Sequence, residues 1–146
     1  MNIDKMLVDQ VVINLTPPPK ELEERLRAAF GESVDWKKNT VFTYGTNIYT
    51  RNMLEEPLYR HEVLHVIQQM QMEGGPDAWW DEYIKNPEFR LAQELDAYRV
   101  QYHTAKKFIK DRNQLFKYLH DISITLSGKM YGNLLSTQEA LKLIKQ

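Results

Sequence analysis

Residues 57–74 read Pro57-Leu58-Tyr59-Arg60-His61-Glu62-Val63-Leu64-His65-Val66-Ile67-Gln68-Gln69-Met70-Gln71-Met72-Glu73-Gly74. Proline suits the first position of a helix, where its missing N–H loses no bond, and Gly74-Gly75-Pro76 is a stop signal. A helix from Pro57 to about Met72 is therefore predicted. At about 100° per residue, Tyr59, Val63, Val66, Ile67 and Met70 fall on one side of it. His61, His65, Gln68 and Gln69 share the other. The helix is expected to pack by its apolar stripe and to present the histidines towards a cleft.

Within it lies His61-Glu62-Val63-Leu64-His65, an H-E-x-x-H sequence. Positions four apart on a helix differ by only about 40°, so both imidazoles reach one metal from successive turns. Glu62 lies about 100° round from His61, placed to touch a bound water without ligating the metal. A chain of this composition yields such a match by chance in about one case per hundred. The bland alternative is a pair of solvated histidines on the polar face of an amphipathic helix.

The chain has no cysteine, which excludes disulfides, thiolate zinc sites, iron–sulfur clusters and a cysteine nucleophile. Any metal is held by His, Asp or Glu. A catalytic type of zinc site needs a third protein ligand and an open fourth position. The helix expected over residues 87–110 carries Gln93-Glu94-Leu95-Asp96-Ala97-Tyr98. Its core-facing stripe reads Leu91, Leu95, Tyr98, Tyr102, Ala105 and Ile109. Glu94 sits on the border of that stripe and can reach inward. Asp96 lies on the far side with a shorter side chain and is the alternative third ligand, since Phe89 and Val100 on its side point to a second buried face. His103 points away from Glu94.

Outward from these helices, Val11 to Leu15 reads as a short strand, and Pro18 or Pro19 opens a helix through Leu22, Leu26 and Phe30 to Gly31. Aromatic and β-branched residues between Val34 and Tyr49, with Asn39 and Gly45 at turns, predict two or three short antiparallel strands. Residues 77–84 are open between helix and loop; Trp79 and Trp80 there either roof the cleft or bind a partner or, in the preferred reading, form a hydrophobic plug under a loop. Asn86-Pro87-Glu88 caps and opens the long helix. A further helix carries Leu115, Leu119, Ile122 and Leu126 to Gly128, and Ser136-Thr137-Gln138-Glu139 is a capping box ahead of the last. The expected fold is α+β: a helix-rich minimal domain over residues 1–146, with a small antiparallel sheet preceding the metal-binding helix.

Lys and Arg number 19 against 20 Asp and Glu, a net charge of −1. That balance lacks the basic excess expected of nucleic-acid binding or of attraction to an anionic membrane. Asp4 and Asp9 early in the chain argue against a signal peptide, and no stretch nears the roughly 18 apolar residues of a membrane span. These features lead to the expectation of a cytoplasmic protein.

The H-E-x-x-H sequence followed by Glu94 on a downstream helix resembles the gluzincin group of zinc metallopeptidases. With Tyr44-Gly45-Thr46-Asn47-Ile48-Tyr49 and residues 93–98 included, it is more closely similar to the small zincin-like proteins of bacteriophages and prophages, over residues 41–101. The resemblance implies that His61, His65 and Glu94 ligate Zn2+. It implies that a zinc-bound water hydrolyses a peptide or protein substrate, with Glu62 as general base. It also implies a strand within residues 41–49 lying along the cleft, where an extended substrate can pair. Larger gluzincins often carry an aspartate four residues after the ligand glutamate; Tyr98 stands there, so Gln101 or Tyr98 itself is expected to orient a ligand histidine. Tyr44, Tyr49, His120 and Tyr131 are the candidates for stabilising an oxyanion. The competing expectation is a non-catalytic zincin-like phage component in which zinc ties two helices together.

Overall fold

Pro19 stands at the N-terminus of the first long helix and Asn86-Pro87 at that of the longest, so the proline punctuation of the sequence is realised in the backbone. A computed structural model describes residues 3–146. In chain order these form α1 (Ile3–Asp9), β1 (Val12–Asn14), α2 (Lys20–Phe30), β2 (Phe42–Tyr44), β3 (Asn47–Tyr49), α3 (Glu56–Gln71), α4 (Gly75–Lys85), α5 (Pro87–Ala105), α6 (Arg112–Leu126) and α7 (Thr137–Lys145). The architecture is α+β, as expected. No helix among the described residues is long and apolar enough to cross a membrane.

The described residues form two compact units, residues 3–54 with 65–84 and residues 55–64 with 85–146. In the first, β2 and β3 form an antiparallel hairpin, Phe42 opposite Tyr49, turning at Gly45 with φ 61°. The three-stranded sheet is mixed rather than wholly antiparallel. Its order is β1-β3-β2, and β1 runs parallel to β3 with Val12 opposite Asn47. Parallel neighbours need a crossover connection, and α2 lies in the chain between β1 and the hairpin. Trp36, expected in a strand, lies instead in a 3-10 turn, Trp36–Lys38. The Asp35 side chain caps that turn and Asn39, in the left-handed region, ends it.

Leu22, Leu26, Phe42, Ile48, Val66 and Trp79 are buried in this unit. The open segment 77–84 is helical, within α4, and its aromatic residues are core. Trp79 stacks on Tyr83 with ring centroids 4.9 Å apart, and Trp80 donates its indole N–H to the Thr43 carbonyl at 3.0 Å. Of these readings, the buried plug is the one observed. The short α1 has no counterpart in the sequence reading; Gln71 bonds to Asp4 of α1 at 2.7 Å.

In the second unit α5, α6 and α7 surround a core of Tyr102, Leu119, Ile122, Leu126, Ala140 and Ile144. Asn86 accepts from the backbone N–H groups of Glu88 and Phe89, and the Ser136–Glu139 capping box forms as read. The long helix ends at Ala105, short of the expected Lys110. Its last turn tightens, Lys107 bonding to Thr104 and Phe108 to Ala105, and Asp111 then adopts the extended backbone that lets it cap α6.

Candidate metal centre

The row His61, His65, Gln69 along α3 is buried, each residue 6% exposed or less, as are Val63 and Val66. The expectation that the polar side would face an open cleft is corrected: both sides of the helix are covered. A buried amide must be satisfied, and Gln69 is. Its Oε1 accepts from the Gly45 N–H at 2.8 Å and its Nε2 donates to the Thr43 carbonyl at 2.9 Å. With Trp80, this gives the Thr43 carbonyl two donors, enough for both lone pairs. That carbonyl of β2 is therefore closed to an added strand. His65, one turn before Gln69, pairs its Nδ1 with Gln68 Oε1 at 2.8 Å and sets its ring 5.3 Å from Trp79.

In the second unit a parallel logic holds His61. Its Nδ1 meets Gln101 Oε1 at 2.8 Å, while Gln101 Nε2 donates to the Tyr118 hydroxyl at 2.8 Å. The amide N–H being spent on Tyr118, its carbonyl faces the imidazole. Nδ1 thus carries the proton, and the Nε2 lone pair points the other way. Nε2 faces Glu94 Oε1 at 3.1 Å. A lone pair set against a carboxylate oxygen at that distance requires a proton or a cation between them.

Glu94 rides on a stripe of α5 that hydrophobic periodicity did not mark as buried. Arg90, Glu94, Ala97 and Gln101 are buried, whereas Leu91, Leu95 and Tyr98 are partly buried at the edge of the core. The other Glu94 oxygen, Oε2, accepts from the Tyr131 hydroxyl at 3.2 Å. Tyr131 ends a 3-10 turn, Lys129–Tyr131, that α5 also holds through Arg90, whose Nε donates to the Met130 carbonyl at 2.6 Å. The Tyr98 ring meets His61 edge-on, centroids 4.8 Å apart, and its hydroxyl bonds to that of Tyr131. Burial, and next the charge of Glu94, push the Tyr98 hydroxyl well above the usual tyrosine range.

His61, His65 and Glu94 each bring a ligand atom to one buried group, these atoms all lying within 4.8 Å of one another. Such a His-His-Glu group can hold a metal ion. Asp96, the alternative ligand, has its side chain largely exposed and 3.6 Å from Arg99. His103 is exposed and His120 stacks on Phe116 of its own helix. Tyr44 donates to Asp77 at 2.7 Å, and that bond raises its pKa. Tyr49 lies in β3 opposite Phe42. Of the four oxyanion candidates, Tyr131 is the one bonded to Glu94. Both residues named for orienting a histidine, Gln101 and Tyr98, touch His61. Glu62 is half-buried, with its charge close enough to oppose ionisation of Tyr98.

Arg90 and Tyr118 were missed from sequence; a lone arginine and a lone tyrosine on amphipathic helices carry no mark of a buried polar partner. Compared with protein-family models, curated proteins and solved structures, the chain matches none.

Proposed function

We propose that this chain is a small zinc metallopeptidase in which His61, His65 and Glu94 hold the metal and Glu62 is the general base. The observation that carries the reading is the buried His-His-Glu group on an H-E-x-x-H helix. The donor set supports zinc. Two imidazoles and one carboxylate suit a borderline-soft cation, and each imidazole sets its Nδ1–H to donate to a glutamine Oε1, which leaves Nε2 as the ligand atom. Zinc held by these residues would supply Lewis acidity, bringing the pKa of a water close to neutrality. Glu62 then takes a proton at its carboxylate and returns it to the leaving amine. Tyr131, whose hydroxyl donates to Glu94, is the candidate beside the ligand group, and it stabilises a developing negative charge by turning that one proton from Glu94 to the oxyanion. The substrate is a peptide or protein. The resemblance to zincin-like proteins of phages and prophages supports a setting in the bacterial cytoplasm or with a phage.

Zinc content measured by mass spectrometry tests the site. One zinc per chain is expected in wild type and Asp96→Ala, with a marked loss in Glu94→Ala. Glu62→Gln is expected to keep the zinc and lose hydrolysis of a mixed peptide library; full activity in that variant would remove Glu62 from the mechanism. The burial of all three ligand residues favours a second reading, a structural zinc in a non-catalytic component. Binding of a hydroxamate to the zinc-loaded protein, which needs an exchangeable position, separates the two.

A further inference from the structure

A concavity of about 510 Å³ that the proposed reaction does not use reaches Gln101, the partner of His61 Nδ1. Its walls come from the first turn of α3 with Leu58, from Ala105 of α5, from Phe108 and Ile109 beyond α5, and from Tyr118 of α6; Gln101 closes it on the inside. Leu58 is 43% and Phe108 62% exposed, so two large apolar side chains stand at the opening. The volume lies within the range of about 300–1,000 Å³ typical of small-molecule sites.

Two polar features give the lining a chemistry. Glu55 and Glu56 sit at the pocket, but they differ: Glu56 is paired with Arg60 at 2.8 Å, whereas Glu55 has no ion-pair partner among the described residues. The charge of Glu55 reaches Tyr118, whose hydroxyl is raised in pKa first by burial and further by Glu55. The occupant that matches is an apolar body with one cationic head. An anion would meet Glu55, and a wholly apolar group would leave it bare.

The position matters as much as the lining. Gln101 reaches His61 at Nδ1, the opposite side of the ring from the Nε2 that faces Glu94. A molecule in this pocket therefore touches the residue that fixes the His61 tautomer without entering the space between His61 and Glu94. We infer that the pocket is a binding site for a small apolar monoamine, whose presence is transmitted to His61 through Gln101. This goes beyond the peptidase reading and stands without the metal.

The test uses the full chain, free of metal, with 15N-labelled histidine, titrated with 4-phenylbutylamine. Binding is expected to shift backbone signals of Ala105, Phe108 and Ile109 and the side-chain 15N signals of His61. Glu55→Gln should weaken the amine about three- to fivefold, the scale of one exposed ion pair, and leave the neutral 4-phenylbutanol unaffected. Phe108→Ala, at an exposed position, should weaken both. Gln101→Leu should still bind the amine while the His61 signals stay still. No shift at the pocket, or equal affinity for amine and alcohol in wild type, would overturn the site. A His61 response that survives in Gln101→Leu would overturn the route. Zinc measurements on the same variants report on the metal reading separately.

Discussion

Gln101 shows how much one side chain can decide. It fixes which His61 nitrogen carries the proton, because its own amide N–H groups are turned to Tyr118. Replacing it by leucine keeps the volume and removes that instruction. Gln101→Leu is expected to weaken zinc binding by about 10- to 100-fold, the usual scale for a residue that orients a ligand histidine, measured by competition with a chromophoric chelator. Tyr98 makes a prediction about pH. Burial, and next the charge of Glu94, raise its folded pKa above the ordinary tyrosine value of about 10. Below that value the tyrosine is neutral in both folded and unfolded chains. As pH rises past it, the unfolded chain releases the proton first, so stability is present below about pH 10 and is lost above it. Stability measured by urea unfolding should fall above that pH in wild type and fall less in Tyr98→Phe. Tyrosinate absorbance should lack its latest-ionising component in the same variant.

At the scale of elements, the turn after α6 is held by what α5 offers it: Arg90 bonds to the Met130 carbonyl and Glu94 accepts from Tyr131. The chain can leave Tyr131 in that place only through Gly132, whose φ is 81° and where an added Cβ would lie 2.9 Å from the Pro87 Cβ. Gly132→Ala meets both a left-handed backbone, costing about 1–2 kcal/mol, and that collision. A loss of at least this size in urea unfolding is expected, and Tyr131 should shift away from Glu94, seen as a changed Tyr131 ring signal by NMR.

This element also marks where sequence reading stopped. The H-E-x-x-H helix, the Asn86 cap and the Ser136–Glu139 box were legible because local chemistry decides them. Arg90, and the burial of the whole row Arg90, Glu94, Gln101, were not, because hydrophobic periodicity ranks polar residues as surface. Glu94 could be favoured over Asp96 only by its nearness to an apolar stripe. The parallel pairing of β1 was hidden for another reason: Val12 and Asn47 are far apart in sequence, and no short-range pattern records that they meet.

For the whole molecule, a ligand that binds only the folded chain adds stability by mass action. On the metal reading proposed above, zinc at 100 times its dissociation constant would contribute about 2.7 kcal/mol, several degrees in Tm for a chain of this size. Thermal unfolding with and without a chelator should show that difference in wild type and Asp96→Ala. In Glu94→Ala it should be much reduced.

The hairpin carries a consequence of another kind. β2 lies at one margin of a small sheet, the place where exposed backbone invites a second molecule to add on. Here the central carbonyl of that margin is occupied from within, by Gln69 and Trp80. Two side chains stand where a neighbour's strand would dock, so this margin is guarded against the stacking of one copy on another.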